Sequence, residues 1–212
     1  MAQVEIIGAP LSNYVWTTRI ACAEKGVPHV LKPARPHTPD VDAIHPLGKI
    51  PVMRHGDVTL FESRAICAYL DRAFEGPALV PGDAAQAAGV EQWVSFVAHS
   101  VDPAIVRAYA LAYIFPGTPD GAPDRKRIEA ALPMLEKVLG ILDAQIGKNG
   151  YLAGASFTLA DIYLIPILAV ANRLPESKAM LAGLPRLAFY LQQQMARDSV
   201  KSTAPPPPPA KG

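Results

Sequence analysis

The 212-residue chain is half apolar, and 20 Lys and Arg against 19 Asp and Glu leave a formal charge of +1. That length supports one large domain or two small ones around ordinary hydrophobic cores, with no need of a metal or disulfide framework. The balanced charge lacks the basic footprint of a nucleic-acid binder. Cys22 and Cys67 stand far apart without a CxxC or Cys/His companion, which excludes a zinc site readable from sequence.

In chain order, Val4-Glu5-Ile6-Ile7 reads as a short strand broken by Gly8-Ala9-Pro10, and Val15 to Lys25 as a helix stopped at Gly26. His29 to Lys32 is a second strand. From Pro33 to Pro46 four prolines predict no regular helix. Ile50 to Met53 and Val58 to Phe61 flank a turn at His55-Gly56-Asp57 and read as a hairpin; Ser63 to Phe74 is then a helix. The order is β-α-β, a Pro-rich crossing, then β-β-α. Beyond a Gly/Pro-rich linker every long segment is helical. Val90, Trp93, Val94, Val97 and Val101 share one face of a single long helix. Ile128 to Ile146 marks another, in which Pro133 costs one backbone bond. Thr158-Leu159-Ala160-Asp161 is a capping box with Phe157 and Ile162 as its staple, and Leu187 to Met195 closes the bundle.

The expected division is therefore an α/β domain over 1–76, a linker at 77–83, an all-α domain over 84–201 and a tail from 202 to 212. The run Pro205–Pro209 predicts polyproline II, either a disordered end or a ligand for an SH3-type groove. The longest apolar run, Ile162 to Ala171, is about half of the roughly twenty residues a membrane span needs. The start carries Glu5 where a signal peptide would be apolar, so the expectation is a cytoplasmic protein with no membrane contact.

Three places could carry chemistry. A cis bond at Ile50-Pro51, at the entry to a strand, would turn the Ile50 N–H and C=O outward, where an extended peptide could pair with them. At Glu62-Ser63 a strand passes directly into a helix. Ser63 reads as its N-cap, either merely closing its own helix or leaving the first N–H groups to attract a carboxylate while Glu62 takes an ammonium group, a pair that would suit an amino-acid head. Ser12, between the first strand and the first helix, is either a turn residue or a hydroxyl donor to an anion at the helix N-terminus. If that anion were a thiolate the effect would be catalytic, since a free thiol with a pKa of about 8.5 is only slightly ionised at neutral pH. Cys22 and Cys67 lie among apolar helix residues and read as buried hydrophobes, and His29, His37, His45, His55 and His99 form no ligand pattern.

Taken together these segments resemble the cytosolic glutathione transferases of the serine type (phi, tau or theta-like). The resemblance rests on Ser12-Asn13-Tyr14-Val15 with Arg19 and Glu24-Lys25-Gly26; on His45-Pro46-Leu47-Gly48-Lys49-Ile50-Pro51-Val52; on Glu62-Ser63-Arg64-Ala65-Ile66; and on Thr158 to Asp161. It implies a thioredoxin-like α/β N-terminal domain followed by an all-α helical bundle domain, in a homodimer. Glutathione is the implied co-substrate and no metal is implied. Its cysteinyl backbone would pair with Ile50 before cis Pro51, its γ-glutamyl head would meet Glu62 and Ser63, Lys49 would face a carboxylate, and Ser12, or Asn13 in its place, would hold the thiolate. A hydrophobic electrophile would then be met between the domains by Leu11, Tyr14, Trp16, Ile105, Tyr109, Tyr113 and Phe115. His45 stands where the family has Asn, and the absence of cysteine at positions 12 and 13 argues against thiol redox chemistry. The alternatives are a non-catalytic ligand- or partner-binding module of the same fold, or a glutathione-dependent peroxidase or dehalogenase.

Overall fold

The first helix ends where its sequence provides a left-handed residue. After α1 (Asn13–Glu24), Gly26 at φ 65° lets its own N–H reach the Ala23 carbonyl and the Val27 N–H reach that of Cys22. This paired closure satisfies the last helical carbonyls and buries Val27. α1 is thereby the crossover that a parallel strand pair requires, between β1 (Val4–Ile7) and β2 (His29–Lys32). A single turn, α2 (Pro39–Asp42), follows inside the Pro-rich crossing; Pro39 opens it, where a missing N–H costs nothing. The hairpin of β3 (Val52–His55) and β4 (Val58–Phe61) and the helix α3 (Ser63–Ala73) complete the α/β part.

The computed structural model describes residues 2–206. Its sheet has the order β2-β1-β3-β4, with β1 parallel to β2 and antiparallel to β3. β1 is central, so Val4, Ile6 and Ile7 are all buried and the strand shows no alternation. The helices α1 and α3 pack together, burying Val15, Ile20, Cys22, Ile66, Cys67 and Leu70. Ile7, Val41 and Val52 form a further cluster, with Ile44 and Ile50 against it.

The chain divides into two compact units, one running to Leu79 and joined by the segment from Ala196, the other from Val80 to Met195. The second unit is all helical: α4 (Ala84–Phe96), two π-helical stretches (Val97–Val101 and Pro103–Ala110), α5 (Leu111–Ile114), α6 (Arg125–Asn149), α7 (Leu159–Ala171), α8 (Pro175–Ala182) and α9 (Pro185–Met195). The long helix predicted through Val101 keeps its buried valines but widens to π geometry at Val97, just ahead of Pro103, which has no N–H to give to the preceding turn. α7 is apolar all round and buried almost throughout, as a central helix must be. Its capping box forms as read: the Asp161 carboxylate accepts from the Thr158 N–H, the Leu152 N–H and the Tyr190 hydroxyl. α6 runs through Pro133 without ending. No helix among the described residues is long and apolar enough to cross a membrane.

The last helix, α10 (Asp198–Thr203), belongs to the first unit. The expectation that residues through 201 close the helical domain therefore differs from the contacts. α10 and the residue before it bind α1: Trp16 Nε1 donates to Thr203 Oγ1 at 3.1 Å, Arg19 donates to the Thr203 carbonyl at 2.8 Å, and Arg197 clasps both oxygens of Glu24 at 2.5 and 2.7 Å. Ser202 and Thr203, placed in the tail from sequence, are helical, and of the run Pro205–Pro209 the residues from Pro207 onward lie outside the described residues.

Candidate active site

Strand pairing brings the three candidate segments to one end of the sheet. Ile7, the last residue of β1, pairs with Val52, the first of β3, and Val52 pairs with Phe61, the last of β4. The segments 8–12, 48–51 and 62–63 therefore leave or enter the sheet side by side. Gly8 makes their approach possible: a Cβ there would lie 2.5 Å from Val15 Cγ2 and 3.2 Å from the Ile50 Cβ.

Ser12 is the N-cap of α1, which begins two residues earlier than its sequence suggests. The Ser12 N–H donates to the Ala9 carbonyl and its own carbonyl accepts from Trp16 N–H, both at 3.0 Å, which fixes the backbone of the turn. The side chain makes no capping hydrogen bond, so the hydroxyl is not spent on its own helix. No acidic residue occupies the first turn, and the positive end of the helix dipole is left for an outside anion. Asn13, the first helical residue, and Tyr14 are both half-buried.

On the second segment the Ile50–Pro51 bond is cis. Ile50 lies outside the ladder that starts at Val52, and Lys49 beside it is exposed. The third segment corrects the sequence reading of the cap. Glu62, not Ser63, is the N-cap of α3, and it holds φ 65° and ψ 117°. With no residue to spare between β4 and α3, the turn falls on Glu62, whose Cβ disfavours that region. Ser63 becomes the first helical residue, so its N–H belongs to the turn that has no intrahelical acceptors. The Glu62 carboxylate is 65% exposed and its Oε1 lies 3.6 Å from Nε2 of His45, an almost fully buried ring packed on Phe61. Sequence reasoning noticed His45 only as a departure from a motif; nothing local in the sequence pairs it with a residue so far along the chain.

The remaining candidates are distributed between burial and exposure. Trp16, Ile105 and Tyr109 are buried, Tyr14 and Tyr113 are half-buried, and Leu11 and Phe115 are exposed. Tyr113 is further committed: its hydroxyl donates to Glu176 Oε2 at 2.5 Å and accepts from Arg125 at 3.0 Å. Partial burial and the Glu176 hydrogen bond push its pKa up to about 12. Arg19 and Glu24, which helped carry the resemblance, serve to dock α10. Burial pushes the thiols of Cys22 (to about 12) and Cys67 well up, so neither supplies a thiolate near neutrality. Among the described residues no cluster of His, Cys, Asp and Glu is arranged to hold a metal ion.

Comparison with known proteins decides the family of the chain. Residues 6–78 match the glutathione S-transferase N-terminal domain and residues 101–198 the glutathione S-transferase C-terminal domain. Glutathione S-transferase 3 of Zea mays is 33% identical over 222 aligned positions, covering 98% of each chain. The chain belongs to the glutathione S-transferase family. Glutathione is accordingly its co-substrate. The fold agrees: the apo structure of glutathione S-transferase III superposes with a TM-score of 0.86 at 32% identity, covering 99% of this chain and 100% of the other. Glutathione S-transferase I from mais, in complex with an atrazine glutathione conjugate, gives 0.85 at 27% identity over 95% and 96% of the two chains. The expected thioredoxin-like domain followed by a helical domain is thus this family's architecture.

Proposed function

We propose that Ser12 holds the sulfur of glutathione as a thiolate for attack on a hydrophobic electrophile. The thiol proton leaves to solvent, the Ser12 O–H donates to the sulfur anion, and the sulfur lone pair forms the new bond to an electrophilic carbon, while a leaving group departs from that carbon with its bonding pair or, in an addition, the carbon's π electrons shift to the neighbouring atom and take a proton from solvent. One observation carries this reading: an N-cap hydroxyl that makes no cap, at the positive end of a twelve-residue helix, beside the cis Ile50–Pro51 segment. A charge-assisted hydrogen bond favours the ionised form of its acceptor, which is what a thiol nucleophile needs.

The rest of glutathione follows the sheet end. Its cysteinyl backbone pairs with Ile50, Lys49 faces a carboxylate, and the γ-glutamyl group meets Ser63 through its carboxylate and Glu62 through its ammonium. Leu11, exposed next to Ser12, and Tyr14 are offered to the electrophile. The conjugate bound by glutathione S-transferase I from mais supports transfer over the non-catalytic reading. A homodimer and a cytoplasmic location complete the reading, on the strength of the family resemblance; light scattering checks the former.

The test is a thiolate absorbance titration of bound glutathione in wild type, Ser12→Ala and Asn13→Ala. Ser12→Ala is expected to raise the apparent pKa by about one to two units, roughly 1.4–2.7 kcal/mol of lost differential stabilisation. A shift confined to Asn13→Ala would transfer the role to the amide. No shift in either variant, with no electrophile turned over, would favour the binding module.

A further inference from the structure

His45 joins the two halves of the glutathione site. Its backbone N–H donates to the Val41 carbonyl, and its own carbonyl accepts from the Gly48 N–H, at 2.8 and 2.9 Å. The residue is 4% exposed, and Nδ1 of its ring accepts the Leu47 N–H at 3.0 Å. An Nδ1 that accepts leaves the ring hydrogen of neutral imidazole on Nε2. That nitrogen faces Glu62 Oε1 at 3.6 Å, within electrostatic reach though longer than a formed hydrogen bond. The Phe61 ring, 4.9 Å away between centroids, confines the imidazole to this orientation. The loop that carries Lys49, Ile50 and Pro51 is thus tied through one buried ring to the residue that opens α3.

We propose that His45 is a positioning residue: its Nε2–H dipole draws one carboxylate oxygen of Glu62 back toward the His45–Pro51 loop and leaves the other directed to the ammonium group of the γ-glutamyl head. The proposal rests on the reading of Glu62 given above. An exposed carboxylate on a residue held at positive φ has many rotamers to lose on binding, and a donor that already restricts it lowers that cost. A histidine performs this where a shorter amide would not, because the δ position holds the loop while the ε position reaches Glu62.

The two ring positions can be separated by substitution. An asparagine side chain retains an acceptor at the δ position, and a glutamine side chain retains a donor at the ε position. The variants are therefore His45→Asn and His45→Gln. His45→Asn is expected to keep the thermal midpoint and kcat while raising the KM for glutathione about three- to fivefold, the scale of a partly exposed charge interaction. His45→Gln is expected to keep KM near wild type at some expense of stability, through the lost Leu47 acceptor. In the Glu62→Gln background His45→Asn should add nothing, and it should leave unchanged the binding of a glutathione analogue lacking the γ-glutamyl amino group. Equal weakening of glutathione and the deaminated analogue, or additive effects with Glu62→Gln, overturns the positioning role. If Glu62→Gln alone leaves glutathione affinity intact, it is the underlying reading of Glu62 that fails.

Discussion

At the residue scale, Glu62 and Ser12 each depart from what their local structure would prefer. Glu62 holds φ 65° with a full side chain, and a residue in such a region costs of order 1–3 kcal/mol. In the proposed reading that carboxylate binds the γ-glutamyl ammonium group. Glu62→Gly is expected to raise the stability of the free protein, by about 1 kcal/mol after the extra backbone entropy of glycine, and to weaken glutathione binding. Denaturant midpoints paired with calorimetric affinities would check both signs; a destabilised variant would show that the conformation is not strained in this setting. At Ser12 the preference forgone is the cap itself, worth about 0.5–2 kcal/mol when made. Because no cap bond exists to lose, Ser12→Ala should alter the thiol titration with little change in unfolding free energy, which separates the proposed catalytic role from a structural one.

Elements are held together at their ends. Lys25, the C-cap of α1, is buried, and its ammonium donates to Asp71 Oδ1 at 3.3 Å and to the carbonyls of Gly76 and Pro77 at 3.3 and 3.1 Å; Asp71 also accepts the Leu79 N–H at 2.8 Å. This one cation therefore anchors the end of α1, the last turns of α3 and the segment that leaves the first unit. Lys25→Met removes the charge and leaves a carboxylate and two carbonyls behind it, with an expected loss of about 3–5 kcal/mol. Urea unfolding of the two proteins measures it, and a loss below about 1 kcal/mol would mean that the pair behaves as a surface one. α10 is anchored in the same manner by Trp16, Arg19 and Glu24. Helix ends were legible in sequence where a local signal existed, as at Gly26 and at Thr158-x-x-Asp161, whereas the short helices α2, α5 and α8 were not read. The π-helical stretch and the membership of α10 were not. One depends on packing around Val97 to Ala110, and the other on partners at the opposite end of the chain.

Across the whole molecule, two carboxylates link stability to acid. Burial raises Glu176, but hydrogen bonds from Tyr113, its own backbone, Arg125 and Tyr109 outweigh that effect and bring it to about 2. Burial likewise raises Glu24, and is outweighed by the hydrogen bonds of Arg197 and Ser199 and by the guanidinium charge, which leave it below its ordinary value. A carboxyl depressed in the folded state binds fewer protons than in the unfolded chain. Its contribution is thus complete above the unfolded value of 4.5 and disappears as the pH falls toward about 2. Thermal midpoints should drop through that window, and less steeply for Glu176→Gln than for wild type; parallel curves for the two proteins would rule out Glu176 as a source of the acid sensitivity. One such group lies in each unit, so acid is expected to loosen both.

Sequence alone determined the β-α-β and β-β-α halves of the first unit and then helices, though not the single turn α2 in the Pro-rich crossing between them, along with the cap at Thr158, the stop at Gly26 and the motifs that carry the family resemblance, because each is written in neighbouring residues and their periodicity. It also supplied Ser12, Lys49, Ile50, Pro51, Glu62 and Ser63 as candidates. Tertiary structure decided that Ile7, Val52 and Phe61 stand in one register, so that those candidates share an end of the sheet. It also decided that Trp16, Ile105 and Tyr109 are buried, that Glu62 rather than Ser63 caps α3, and that His45 faces Glu62. Those outcomes depend on strand pairing and packing between residues distant in the chain, and a periodicity read along one segment contains no term for them.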